Sequence, residues 1–215
     1  MTYPAGNLFI PVHHGRLEAI IKSPPEVPPK GAALVLHPHP LGGGTMHNKV
    51  VFRAAAALND AGLVTLRINF RGVGQSTGVH DEGRGELDDA RAGLDSLSKE
   101  YPAAKITVCG FSFGARVGLE VGANDPRASY LIGIGLPLGK YDFGFLKECR
   151  KPLLLVHGAK DEFGDVEAVR SLVKELERNT EVQLVVIANA DHFFEDHLDE
   201  LKRAITKWAE EKLST

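Results

Sequence analysis

Cysteine is almost absent from this chain: Cys109 and Cys149 are the two in 215 residues. That is too few for a disulfide framework and fits a reducing compartment. A charge imbalance is missing as well. Twenty-five Lys and Arg stand against 28 Asp and Glu, a formal charge of -3, with no basic stripe of the kind nucleic acid demands. No apolar run approaches a membrane span. The opening residues, MTYPAGNLFIPVHHGRLEAI, contain no basic segment leading into an apolar stretch and a cleavage site. These absences predict a cytoplasmic protein with neither nucleic acid nor membrane as partner, and they leave oligomeric state open. Repeats and low-complexity tracts are also lacking.

What is present is ordinary for a globular enzyme. Hydrophobic residues make up 43% and charged residues 25%, enough for one core, and a single α/β domain over 1–215 accommodates the length. Residues 7–22 alternate as an N-terminal hairpin, with His14-Gly15 at the turn and Arg16 to Lys22 returning. Ser23 to Lys30 carries four prolines and reads as a loop between strands, because proline cannot donate to a sheet ladder.

From Gly31 onward, short apolar runs alternate with helical stripes. The expected strands are Ala32–Leu36, Leu63–Ile68, Ile106–Cys109, Tyr130–Ile134, Leu153–Val156 and Val182–Ile187. Most are nearly continuous in apolar residues, as strands covered on both faces must be, which predicts a mostly parallel sheet with helices on both sides. The stripes are Val51, Ala54, Ala55, Leu58; Leu87, Ala90, Leu94, Leu97; Val169, Leu172, Val173, Leu176; and a last helix carrying Phe194, Leu198, Leu201, Ile205 and Trp208.

Two G-x-S-x-G matches occur, Gly110-Phe111-Ser112-Phe113-Gly114 and Gly74-Gln75-Ser76-Thr77-Gly78. Composition alone would yield about 0.09 such matches, so context must decide between them. Ser112 follows an apolar strand and precedes a helix with Gly118 and Gly122 on one face, the strand-turn-helix setting that lifts a serine oxygen above a sheet. A helix-capping serine is the bland alternative. Ser76 has no apolar helix behind it and reads as a loop serine.

A nucleophilic serine needs a neutral imidazole and a carboxylate to hold its tautomer. Asp161 falls just past the strand ending at Val156, and His192 just past the one ending at Ile187. Asp165 reads as a helix N-terminal residue, while Asp191 is too close in sequence to face the His192 ring. For the oxyanion hole, the amide of Phe113 is one donor. The other comes from the loop LHPHPLGGGT, where Pro38 and Pro40 lack an N–H, which leaves His39 ahead of Leu41. A metal on His37 and His39 would lack a third ligand at recognisable spacing. The triple glycine does not complete a phosphate-binding loop, because Gly44-Thr45-Met46 stands where lysine is needed. Seven phenylalanines, at 111, 113, 143, 145, 163, 193 and 194, fall near the proposed site and either wall an apolar pocket or cap the core. The short span between Ile134 and Leu153 leaves no room for a lid of several helices.

With the stretches LHPHPLGGGTMHNK, RINFRGVGQSTG, CGFSFGA, VHGAKDEF and ADHFF in view, the chain resembles the α/β-hydrolase superfamily, more narrowly its small, lidless, dienelactone-hydrolase-like bacterial branch. The chain order serine, acid, histidine is that of the superfamily. The resemblance implies triad roles for Ser112, Asp161 and His192, no cofactor or metal, and hydrolysis of a small-molecule ester or thioester. Dienelactone hydrolases proper use cysteine as nucleophile, so that substrate does not carry over. Relatives that dehalogenate or open epoxides use aspartate there, which argues against those reactions. A non-catalytic binding domain that keeps the fold is the alternative.

Overall fold

The computed structural model describes residues 6–25 and 28–214. Its eight-stranded sheet has the order β1-β2-β4-β3-β5-β6-β7-β8. β1 (Gly6–Val12) and β2 (Gly15–Lys22) form the expected hairpin, the turn falling one residue earlier, at His13-His14. β2 pairs antiparallel with β4 (Leu63–Ile68). The other strands are parallel: β3 (Gly31–Leu36), β5 (Ile106–Phe111), β6 (Ala128–Ile134), β7 (Leu153–Gly158) and β8 (Val182–Ile187). Of the proline-rich segment, Glu26 and Val27 lie outside the described residues, and the rest runs as a loop from β2 to β3.

Strands β3, β5 and β7 are buried along their whole length, because helices cover both faces. Leu34, Leu36 and Val108 point to the side of α2 (Arg84–Glu100), α3 (Phe113–Asn124) and α4 (Val166–Leu176), whose Leu94, Leu119 and Val169 join the same cluster. Val35, Cys109 and Phe111 point the other way, into a cluster with Val51 and Leu58 of α1 (Lys49–Asp60) and Ile205 and Trp208 of α5 (Leu198–Leu213). β8 departs from the fully buried pattern, since as the edge strand it keeps Leu184, Val185 and Val186 only partly covered.

One helix boundary differs from expectation. Phe194 is fully buried but has φ of 54°, a backbone state that no α-helical residue adopts. It therefore belongs to the β8–α5 loop, and α5 begins at Leu198. Its hydrophobicity reflects burial under that loop rather than a helical stripe.

The topology prepares a site. From β3 the chain crosses to β4 on one side and then returns to β5 on the other, so the loops leaving β3 and β5 diverge at a switch point, where open α/β sheets leave a crevice. His37 anchors the β3 exit: its Nδ1–H donates to the Pro38 carbonyl at 2.7 Å, and its Nε2 accepts from the Phe70 amide at 3.0 Å. Burial pushes its pKa down to about 4 from the usual 6.5.

That depression links stability to pH. Below about pH 6.5 the unfolded chain takes up a proton at His37 that the native state refuses until about 4. The contribution is present above 6.5 and lost as pH falls towards 4, on the order of 3 kcal/mol in all. Denaturant midpoints measured across this range should fall with acidity, and His37→Gln should be less stable at neutral pH with a visibly flatter pH dependence.

Candidate active site

Ser112 sits between β5 and α3 at φ 56° and ψ −118°, a strained conformation for a non-glycine residue. Two close approaches hold it there. A Cβ at Gly110 would come within 2.1 Å of the Gly114 carbonyl oxygen, and one at Gly114 within 2.5 Å of the carbonyl oxygens of Leu36 and His37. Glycine at both positions lets the turn close and lets α3 start against the end of β3. Farther along the helix, a Cβ at Gly118 would meet the Leu36 side chain at 2.9 Å, and one at Gly122 the Leu131 side chain at 2.4 Å, so α3 lies close on the sheet. The Ser112 amide donates to the Ile134 carbonyl at 2.9 Å, tying the turn to β6.

His192 Nδ1 lies 2.8 Å from Asp161 Oδ2, and His192 Nε2 lies 2.9 Å from Ser112 Oγ. A carboxylate only accepts, so Nδ1 carries the proton and the Nε2 lone pair faces the serine hydroxyl. Asp161 Oδ1 accepts from the amides of Phe163 at 2.8 Å and Gly164 at 3.2 Å, which fixes the carboxylate. Both side chains are buried. Packed against the imidazole are Phe111, Phe163 and Phe193, with centroids at 5.0, 4.6 and 5.2 Å.

The rival carboxylates are occupied elsewhere. Asp165 caps α4 by accepting from the amides of Glu167 and Ala168, both at 3.0 Å, and Asp191 accepts from the Glu195 amide at 3.0 Å. Ser76 is structural: its hydroxyl donates to the Asn69 carbonyl at 2.7 Å and accepts from the Glu18 amide at 2.8 Å, pinning the β4–α2 loop to β2. Cys109, on β5 just before the turn, is fully buried, and burial pushes its thiol far above the usual range.

In the β3–α1 loop, His39 stands ahead of a short 3₁₀ turn, Pro40–Gly42, and its Nδ1 accepts from the Leu41 amide at 3.2 Å. The Leu41 N–H is therefore spent on that cap. The His39 amide has no acceptor among the turn and loop hydrogen bonds, and the Phe113 amide is the first of α3, where N–H groups lack intrahelical partners. Gly44 allows the loop to fold back, since a Cβ there would meet the Pro38 oxygen at 2.2 Å. His37, with both ring nitrogens engaged, has no lone pair to offer a metal.

Ser112 and His192 open into a cavity of about 450 Å³ walled by Leu41, Phe113, Pro137, Tyr141, Phe163 and Phe193. Of the seven phenylalanines, Phe113, Phe163 and Phe193 line it; Phe111 backs the histidine, Phe194 is core, and Phe143 and Phe145 pack beside each other in the β6–β7 connection. A larger, more polar depression of about 690 Å³ lies beyond Phe193 and contains neither serine nor cysteine. Two contributors escaped the sequence reading. Gly135 has φ of 54°, and a Cβ there would stand 3.3 Å from the His192 ring, so its lack of a side chain lets the imidazole reach across β6. Its only sequence signal was a glycine at a strand end. Lys140, beside Tyr141 at the rim, gave none.

Two substitutions separate the two motif copies. Gly114→Ala forces backbone against backbone and should lower stability by about 1–3 kcal/mol. Ser76→Ala removes a buried double hydrogen bond and should cost about 1–3 kcal/mol while leaving the Ser112 geometry intact. Thermal unfolding measures both.

Comparison with known proteins agrees with this architecture. A family model described as alpha/beta hydrolase domain matches residues 31–211. The uncharacterized protein RP471 of Rickettsia prowazekii (strain Madrid E) is 40% identical over 183 residues, 82% of this chain and 77% of that protein. Among solved structures, an alpha-beta serine hydrolase homologue from Coxiella burnetii is 36% identical with a TM-score of 0.87, covering 96% of this chain and 97% of the other. XC6422 from Xanthomonas campestris, described as an a/b serine hydrolase without lid, is 35% identical with a TM-score of 0.89, covering 99% and 98%. The sheet order, the strained turn at Ser112 and these matches make the chain a member of the lidless α/β-hydrolase family.

Proposed function

We propose that this protein is a serine hydrolase of small carboxylic esters, with thioesters as second choice, working through an acyl-enzyme on Ser112. The observation that carries the reading is the unbroken hydrogen-bond chain from the Ser112 hydroxyl through His192 to Asp161, opening at its serine end into an apolar cavity.

In this mechanism Ser112 Oγ attacks the substrate carbonyl while its proton passes to His192 Nε2. Asp161 stabilises the resulting imidazolium and keeps the ring oriented. The oxyanion forms against the amides of Phe113 and His39, with the positive end of α3 beneath it. Collapse expels the alcohol or thiol, which takes the proton from His192. Water then enters, gives one proton to the same nitrogen and attacks the acyl carbon; collapse breaks the bond from the acyl carbon to Ser112 Oγ, His192 returns its proton to Oγ, and the acid leaves. The steps balance with water alone and call for no cofactor. Leu41 stays behind His39 as oxyanion donor, since its N–H already has a partner.

The relatives described as serine hydrolases support the reaction class. A non-catalytic binding domain gains no support from a nucleophile held in a strained backbone state beside an aligned base. A fluorophosphonate probe should label the wild type at Ser112 and leave Ser112→Ala unlabelled. On p-nitrophenyl esters Ser112→Ala should lose about 10⁴–10⁶-fold in kcat, and Asp161→Asn about 10⁴-fold through the wrong tautomer. Full activity in Ser112→Ala would rule the reading out.

A further inference from the structure

Beside the Tyr141 hydroxyl, which can donate or accept, three side chains at the rim of the Ser112 cavity offer it donors. His39 lines the cavity, and its Nδ1 accepts from the Leu41 amide at 3.2 Å. Its Nδ1 lone pair is thus spent, and the neutral ring can offer the cavity only an Nε2–H. Burial, helped by the nearby Lys140 and His80, holds the His39 pKa below the usual value, which keeps that neutral form. Asn48 also lines the cavity, and its Oδ1 accepts from the Val50 amide at 2.9 Å, so the amide group presents Nδ2–H donors. The third group is Lys140, donor only. Its ammonium lies 5.4 Å from the Tyr141 ring centroid at the cavity wall and has no ion-pair partner among the described residues.

No carboxylate answers these donors. None lines the cavity: Glu86 accepts from His80 and from the amides of Asp81 and Gly83, Glu162 from the His192 amide, and Asp142 from the Gly144 amide, while Glu195, Asp196 and Asp199 line the separate depression beyond Phe193, with Asp199 3.4 Å from Arg53. A chain with net charge -3 thus keeps a donor-rich rim with an ammonium that has no ion-pair partner among the described residues around an apolar cavity, an arrangement that favours an anionic, acceptor-rich ligand.

We propose that the site selects esters bearing a second, free carboxylate remote from the scissile carbonyl, with Lys140 as the specificity-determining residue and the His39 and Asn48 donors in support. The reaction itself rests on the serine-hydrolase reading above; the substrate class is what the rim adds. Apolar chain between the two carbonyl carbons would lie against the phenylalanine walls, and the carboxylate would meet the ammonium at the mouth.

The test compares pairs matched in length. Mono-p-nitrophenyl adipate against p-nitrophenyl hexanoate places the carboxylate on the acyl side, and 4-carboxyphenyl butyrate against phenyl butyrate places it on the alcohol side. The wild type should favour the charged member of one pair in kcat/KM, chiefly through KM. Lys140→Met should cut that preference, read as the ratio of kcat/KM within each pair, by about 5-fold, the scale of a solvent-exposed ion pair; Lys140→Glu should reverse it. Raising salt should erode the preference, since exposed charges are screened. A preference that survives Lys140→Met, or a wild type that prefers the neutral ester in both pairs, would overturn the proposal. Calorimetric binding of monomethyl adipate and methyl hexanoate to Ser112→Ala reads the rim without turnover. Tighter, Lys140-dependent binding of the adipate supports it even if the serine chemistry fails, and equal binding of the two sinks it.

Discussion

Everything at the site depends on one backbone constraint, the positive φ of Ser112 between a buried strand and a helix. A residue in that state costs of order 1–3 kcal/mol and persists only where its surroundings over-determine it. Here the surroundings are explicit. The carbonyls of Leu36 and His37 press on Gly114, the Gly114 carbonyl presses on Gly110, and the Ile134 carbonyl receives the Ser112 amide. Three parallel strands, β3, β5 and β6, thereby converge on a single residue. The same approach of β3 to α3 brings the His39 loop to the start of α3, so Ser112 and the amides proposed to face an oxyanion are products of one packing event.

The second constraint is distance across the sheet. Ser112 leaves β5, Asp161 leaves β7 and His192 leaves β8, so β6 stands between Ser112 and His192. A Cβ at Gly135, just past the end of β6, would crowd the imidazole at 3.3 Å. Glycine avoids this, and a positive φ there turns the chain away at once. The β8 loop must also travel back over β7, and it does so through Asn189, Phe194 and Asp196 at positive φ, with Phe194 buried beneath as an anchor. At Gly158 a Cβ would collide with the Ala190 and Asp191 carbonyls at 2.5 Å, which shows how tightly the loops bearing acid and base are stacked.

How far the sequence announced this follows from which forces act locally. β4 and β8 run over the expected residues at both ends, and the other parallel strands differ only by one or two residues at their ends, because burial on both faces writes a continuous apolar run. The meeting of Ser112, His192 and Asp161 was legible for a related reason: each lies just past such a run, and chain order then restricts the choice. Legibility fails where tertiary approach decides. Phe194 resembles a helix residue by spacing, yet the loop geometry claims it. His39 stands only narrowly ahead of Leu41 in sequence, and the acceptance of the Leu41 amide by the His39 side chain widens the gap. Phe143 and Phe145 are near the site in sequence and away from its cavity in space, and Lys140 acquires meaning only once the β6–β7 connection is seen at the rim.

Buried polar groups elsewhere show why the triad is different in kind. Glu18, Asn69, Gln75 and Ser76 bind one another, and Arg71 and Asp89 engage with His14 alongside. These networks close on themselves: donors meet acceptors, and the result ties the β4–α2 loop to the hairpin. A closed network of this sort stabilises a loop and has nothing left for a ligand. The Asp161–His192–Ser112 chain is satisfied at its buried end and opens at the other, where the serine oxygen borders a cavity. That asymmetry also distinguishes the two G-x-S-x-G copies. Ser76 has its hydroxyl proton and a lone pair committed within the fold, whereas Ser112 commits its proton alone, to a base able to take it.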